Sequence, residues 1–486
     1  MVFTSLPFLF FFPIVTALYF ALPHRFRWAH LLLASCVFYM ALIPVYLLIL
    51  LFTILIDYAA GIWIENATGR RRRLFLIASI IANVGVLVAF KYFNFFNANL
   101  RAVAQLIHWN YPVLALSVFL PVGLSFHTFQ SMSYTIEVYR GRQRAERHLG
   151  IYALYVMFYP QLVAGPIERP QNLLPQFRQP HAFDHDRVVA GLRRMLWGFF
   201  KKMVVADRIA VIVDVVYAHP RGYAAHSLLL ATYLFAYQIY CDFSGYTDIA
   251  LGAAQVMGFR LMENFDRPYA AASVAEFWRR WHISLSTWFR DYVYIPLGGS
   301  RVPLPRWCFN LMVVFLISGL WHGADWTFVI WGALHGGYLV AAILTAGARR
   351  STGRRIAVDR HPVLTRAASI FFTFNLVCLT WVFFRAASLS DAAAIIGTLA
   401  SPAAWSLRHW NAMIPPFSDS ALQLPAVLIL VVELVQLAQA ARGNRPVAEL
   451  LQDRPFWLRW SADYGLIFTI LLFGVLGSRT FIYFQF

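Results

Sequence analysis

The stretch SGLWHGADWTFVIWGALHG, residues 318–336, sets one histidine, His322, between two strongly apolar runs. A helix that starts near Trp307 rises 1.5 Å per residue, so His322 falls about 22 Å along it, at a depth inside a membrane. An ionisable side chain there is costly in lipid and normally faces a protein interior or a water-filled cavity. Gly319, Gly323 and Ala324 beside it remove bulk and leave room for a close approach by backbone or ligand. An imidazole that takes a proton from a hydroxyl and later releases it suits transfer of an acyl group from a thioester to an alcohol. A hydrogen-bonded histidine that merely locks two helices fits the spacing equally well.

Outward from this stretch the chain stays apolar. Its 486 residues are 60% hydrophobic and 17% aromatic but only 13% charged, about half the charged share of a soluble domain. Spans of about 20 apolar residues cross a hydrocarbon core of about 30 Å. Apolar runs lie near 3–22, 29–43, 44–64, 74–96, 112–138, 150–164, 190–217, 227–257, 307–321, 326–346, 364–384, 421–440 and 462–484, with Pro44 breaking the run 29–64. The expected fold is all-α, a polytopic helical membrane protein with about 11 to 14 membrane segments, re-entrant or interfacial helices among them. A single membrane-embedded domain, 1–486, is expected, because the polar stretches near 140–150, 166–190 and 347–363 are loops too short to bury a core. Residues 1–22 carry no Lys or Arg before the run and no convincing cleavage site, and read as a retained first span.

The 41 Lys and Arg exceed the 23 Asp and Glu and give +18. In a soluble protein that excess would point to nucleic acid. Here the basic residues sit between apolar spans, in Arg70 to Arg73, Arg140 to Arg147 and Arg349 to Arg366, where a positive-inside bias puts them. Cytoplasmic loops at 23–27, 70–73, 140–148, 349–366 and 442–459 leave a turn at 97–111 and both termini outside. Cys36, Cys241, Cys308 and Cys378 have no CxxC pairing and no metal-like spacing with histidine, which suits buried thiols and no metal site. The phosphate-binding GxxxxGK[ST] loop, the dinucleotide GxGxxG, the zinc HExxH and the GxSxG elbow are all missing.

Residues 273–306, beginning SVAEFWRRWHISLSTWFRDYVYIPLGGSR, mix aromatic residues with Glu276, Arg279, Arg280, His282, Arg290 and Asp291, and cannot face lipid. An interfacial or re-entrant helix is expected, ended by the turn at Pro296, with Trp278, His282 and Ser286 on one face. His282 would orient substrate or His322, contribute to a cationic surface for a phosphate-bearing donor, or simply anchor the interface. In the third cluster, YQIYCDFSGYTD at 237–248, Asp242 and Asp248 are six apart. That is not a same-face spacing, so a structural polar network lining a cavity is favoured over a paired acid and base.

Together, FWRRWHISLSTWFRDYVYIPLGGSR (277–301), GLWHGADWTFVIWGALHG (319–336), YCDFSGYTDIALG (240–252), YFNFF (92–96), FYPQLVAGPIERP (158–170) and FIYFQF (481–486) resemble the membrane-bound O-acyltransferase family, in its bacterial branch that acetylates alginate and peptidoglycan. The resemblance implies a helical ring around a thin centre, where a cytoplasmic acyl donor and an extracytoplasmic acceptor meet near the histidine of the WHG motif, here His322. It makes His282, of the RRWHISL motif, a second functional residue. It also implies no bound cofactor, acetyl-CoA as the donor substrate, a periplasmic acetyltransferase partner or a polysaccharide as acceptor, and a bacterial inner membrane location.

The expected activity is therefore O-acetylation of an exopolysaccharide, with alginate as the first polymer to test. His322 and His282 are the catalytic candidates, and Arg279, Asp291, Trp278, Trp321 and Asp242 bind substrate or support them. D-alanyl or peptidoglycan O-acyl transfer on the same fold is the nearest alternative. A polysaccharide exporter is a rival from another class, although a transporter more often shows a repeated half, and none is visible. A docking scaffold without chemistry is a third.

Overall fold

Backbone groups in lipid must satisfy one another, and helices do so within one segment. The computed structural model describes residues 1–116, 121, 123–347, 361–405, 419–451, 453–475, 481 and 482, and among them the regular structure is helical with no strand. Six helices are long and apolar enough to span a membrane: Pro44–Asn66, Gly69–Leu106, Leu304–His322, Trp326–Leu344, Pro362–Arg385 and Leu422–Ala441. Leu6–Ala21 and Leu389–Ala400 are shorter apolar helices. The protein is a multi-pass membrane protein, as its composition requires.

Several details differ from the sequence reading. Helix continues to Leu106 through most of the turn expected at 97–111, with a π-helical stretch at Val88–Tyr92. In the run 112–138 the described helix is Leu124–Tyr139. The polar stretch 166–190 contains the helix Pro170–Phe177, whose Leu173, Leu174 and Phe177 are buried. The basic loop 349–366 lies outside the described residues as far as 360, as do 483–486 of the closing FIYFQF.

Contacts divide the chain into two compact units, one of Met1–Met195 with Tyr246–Met262, the other of Leu196–Gly245 with Glu263–Phe486. The helix Ala225–Met257 contributes residues to both and is unbroken at Ser244 and Gly245. In the first unit the fully buried Asp57 accepts hydrogen bonds from Ser79 Oγ (2.7 Å) and Asn83 Nδ2 (2.9 Å), and Ser79 reaches Thr135 Oγ1 at 3.2 Å. Three helices are thereby tied by one polar core. The basic loop after Tyr139 is pinned by acids: Glu65 accepts the Ala145 amide (3.0 Å) and pairs with Arg147, and Glu146 pairs with Arg178. Glu168, wholly buried, accepts from Asn172 Nδ2 (2.7 Å) and from the Met262 amide, and burial pushes its carboxyl up to about 7. Asp248 pairs with Arg194 at 3.0 Å.

In the second unit Lys202, in the π-helical stretch Phe200–Ala206, is clamped between Asp207 (2.8 Å) and Asp242 (2.6 Å), all three buried. Asp242 Oδ2 also accepts the Ile482 amide at 2.7 Å and so holds the far end of the described chain. The two acids of the 237–248 cluster thus serve separate ion pairs. Leu304–His322 and Trp326–Leu344 form a hairpin whose backbones nearly touch: a Cβ on Gly319 would lie 2.3 Å from the Phe328 carbonyl oxygen, and one on Gly332 2.2 Å from that of Phe315.

Removing one partner from a buried ion pair strands the other charge, at a cost of about 3–5 kcal/mol. Lys202→Met leaves Asp207 and Asp242 without their shared cation and is expected to lower the unfolding temperature in detergent markedly, whereas Arg221→Gln, at an exposed pair with Asp391, is expected to move it little. Equal shifts would mean that the Lys202 clamp does not carry the second unit.

Candidate functional site

Ser273 opens the segment around His282 as a helix cap: its side chain accepts the Glu276 amide, and Glu276 reaches back to the Ala272 amide at 2.8 Å. That reciprocal cap starts a short helix, Val274–Arg280. Trp281 is then extended, and His282 takes left-handed angles (φ 43°, ψ 55°) before a second helix, Ile283–Phe289. Asn264 holds the break open: its carbonyl accepts the Ile283 amide (2.9 Å), and its Oδ1 accepts from Ser284 Oγ (2.7 Å). A single face carrying Trp278, His282 and Ser286 therefore does not form. A left-handed non-glycine residue is strained, and strain that the surroundings enforce points to a functional constraint. The PLGGS turn does end the segment, with Gly298 and Gly299 at positive φ.

His282 is fully buried, with its ring edge-on to Phe243 at 4.7 Å between centroids, and burial pushes its imidazole down to about 3. Phe243 also meets Phe481 at 5.7 Å, and Asp242 is its neighbour in the chain. Trp321 packs against His282 at 6.0 Å and against His322 at 4.9 Å. His282, Trp321 and His322 therefore form one contiguous cluster.

His322 is the last residue of its helix, 18 residues after Leu304 and about 27 Å along the axis. It is 3% exposed and walled edge-on by Trp321 (4.9 Å), Trp331 (4.9 Å) and Phe384 (5.4 Å). Gly323 follows in extended conformation, and Asp325 caps the next helix by accepting the Thr327 amide at 2.8 Å. Of the two close approaches that the glycines allow, by backbone or by ligand, the structure shows that of the neighbouring arm. A Cβ on Gly323 would meet the Phe328 ring at 2.1 Å, so the glycines buy close packing of the hairpin.

Trp278 turns away from His282 and donates its indole N–H to His335 Nδ1 at 3.2 Å. With Nδ1 accepting, Nε2 carries the hydrogen and donates to Thr380 Oγ1 (2.9 Å), which donates to the Val377 carbonyl (2.7 Å). Sequence reasoning passed over His335, although Trp331 and His335, four apart, put an indole and an imidazole on one helical face. Arg279 is exposed and lines a cavity of about 440 Å³ with Trp278, Ser286, Arg290, Phe315 and Ser318. Ser318 is one helical turn before His322. Asp291 pairs with Arg290 at 2.8 Å. Among the described residues no group of three or more His, Cys, Asp or Glu side chains could hold a metal ion.

Residues 142–383 match the family model for MBOAT, the membrane-bound O-acyltransferase family. The chain is 36% identical to the probable alginate O-acetylase AlgI of Pseudomonas putida over an alignment spanning all of both proteins. It is 34% identical to the peptidoglycan O-acetyltransferase of Helicobacter pylori over 78% of this chain and 75% of that one. With the teichoic acid D-alanyltransferase of Bacillus subtilis it shares 28% identity over 44% of this chain and 56% of the other.

A histidine whose pKa is depressed by folding takes up a proton more readily when unfolded. It therefore contributes stability that is full above its unfolded value of about 6.5 and is lost as pH falls toward the folded value. Thermal unfolding of the wild type in detergent is expected to decline more steeply from pH 7 to pH 5 than that of His282→Gln. Parallel declines would show that His282 is not held neutral by its surroundings.

Proposed function

The chain belongs to the membrane-bound O-acyltransferase family, and from that premise we propose that it is an O-acetyltransferase of a bacterial inner membrane, taking acetyl from acetyl-CoA on the cytoplasmic side for O-acetylation of an exopolysaccharide, alginate first. The observation that carries this reading is His322, an imidazole inside an aromatic enclosure, one helical turn from the wall of a cavity with two arginines at its rim. Full-length similarity to an alginate O-acetylase, against 44% coverage by the D-alanyltransferase, favours acetyl over D-alanyl as the transferred group.

In the proposed reaction His322 takes the proton of the acceptor hydroxyl as its oxygen attacks the thioester carbonyl carbon. The tetrahedral intermediate collapses with cleavage of the carbon–sulfur bond, and the proton passes from His322 to the departing thiolate. The products are an acetyl ester and free CoA thiol, and the base is regenerated. Aromatic walls keep water from competing with the hydroxyl. Charge on the oxygen of the intermediate needs a donor, and we assign it to the indole N–H of Trp331, which is buried and has no hydrogen-bond partner among the described residues. Arg279 and Arg290 match the phosphates of CoA, and the apolar wall of Trp278, Phe289 and Phe315 matches its thioester arm. His282 shapes the pocket through Trp321. A periplasmic acetyltransferase partner, or the polysaccharide itself, would receive the acetyl group.

Acetyl transfer from radiolabelled acetyl-CoA, in membranes with matched protein levels and the candidate periplasmic partner supplied, checks the assignments. His322→Ala is expected to lose at least about 100-fold and Trp331→Phe about 100-fold in kcat. Arg279→Gln is expected to raise KM for acetyl-CoA about tenfold with kcat held. Undiminished transfer by His322→Ala would remove the chemistry from this imidazole and bring the transport or scaffold reading forward.

A further inference from the structure

The helices Pro44–Asn66 and Gly69–Leu106, both long and apolar enough to cross a membrane, enclose a second cavity of about 450 Å³ in the first unit. Its walls are two stripes, Leu55, Ile56, Ala59, Ala60 and Trp63 from one helix and Phe75, Ala78, Ser79 and Ala82 from the other. The alanines hold the helices' side chains apart over about 10 Å, seven rises of helix. Trp63 and Phe75 meet at 5.4 Å between ring centroids at the end where the two helices join. Trp63 is 53% exposed there, and a half-exposed tryptophan at a helix end suits the membrane–water boundary.

Directly past that end lie Arg70, Arg71 and Arg73, all exposed and without an ion-pair partner among the described residues. Positions 71, 75, 78 and 82 share one helical face, so Arg71 stands one turn above Phe75 on the stripe that lines the cavity. Arg72 behaves differently: it turns inward and donates to the Val138 and Tyr139 carbonyls at 3.1 and 2.8 Å. The nearby Glu65 is already neutralised by Arg147 and does not oppose an anion.

We infer that this groove binds an anionic phospholipid, with the headgroup phosphate on Arg71, flanked by Arg70 and Arg73, and one acyl chain lying along Ala59, Ala78 and Ala82. Positive-inside topology explains arginines at this loop. It does not explain an open apolar groove aligned beneath the one that continues its stripe. The inference is independent of the acyltransferase chemistry, which lies in the other unit.

The test is lipid retention by the purified chain in uncharged detergent, read by native mass spectrometry after exposure to equimolar phosphatidylglycerol and phosphatidylcholine. Wild type is expected to retain phosphatidylglycerol over phosphatidylcholine by about fivefold or more, the contribution of one arginine at an anionic headgroup. Arg71→Gln is expected to cut that preference about fivefold, and Arg70→Gln with Arg71→Gln and Arg73→Gln to abolish it. Ala78→Leu, which fills the groove and leaves the arginines, is expected to reduce retention of both lipids. These arginines are exposed, so an unchanged elution volume verifies the fold, and Arg71→Lys is expected to restore part of the preference. Equal retention of the two lipids by wild type overturns the inference, as does an unchanged preference in the triple variant. Displacement of phosphatidylglycerol by inorganic phosphate alone would mean an anion site without a lipid, and overturns it too.

Discussion

Everything around His322 depends on how closely two helices pass. Side chains at positions 319 and 332 would collide with the carbonyl oxygens of Phe328 and Phe315, so glycine at both lets the hairpin close to backbone contact. In lipid no hydrophobic force pulls helices together, and such contacts carry much of the association. Closure brings Trp331 from one arm onto His322 at the end of the other. A looser hairpin would leave the same residues in sequence and no enclosure in space.

The second constraint is that buried polar groups must find partners. The chain answers with hydrogen-bond networks where helices cross, as at Asp57, Ser79 and Asn83, and with balanced ion pairs where cations are buried, as at Lys202. The Lys202 clamp has a consequence for the site. Asp242 fixes the Ile482 amide, which seats Phe481 on Phe243, and Phe243 in turn meets His282. Asp242, read from the sequence as a supporting residue in a polar network, anchors the aromatic wall behind His282.

Much of this was legible in advance, because apolar run length and basic loops report directly on a bilayer, and an isolated histidine in such a run stands out. All six long apolar helices coincide with runs read from the sequence. What periodicity could not give was the break at His282. A regular helix over 278–286 is the natural reading of the local pattern, and the break is imposed by Asn264, 18 residues earlier in the chain, whose carbonyl and side chain take the first amides of the next helix. The glycines carry a related ambiguity. Small residues signal a close approach, but sequence does not say whether the approaching group is a ligand or Phe328.

The two histidines of the segment 319–336 show how environment separates roles that sequence leaves equal. His335 has both ring nitrogens engaged, accepting from Trp278 and donating to Thr380, so its tautomer is fixed and a proton gained or lost would break a bond. Such a histidine is a strut. It joins the helix that carries Trp331 to Thr380, one turn before Phe384, and to Trp278 at the cavity wall. Those are residues that enclose His322 or line the cavity beside it. His322 sits against the rings of Trp321, Trp331 and Phe384, which keep water from it. In the proposed reaction His322 changes protonation state within one turnover, and rigid walls hold it in place while it does so. The strut supplies that rigidity from one shell further out.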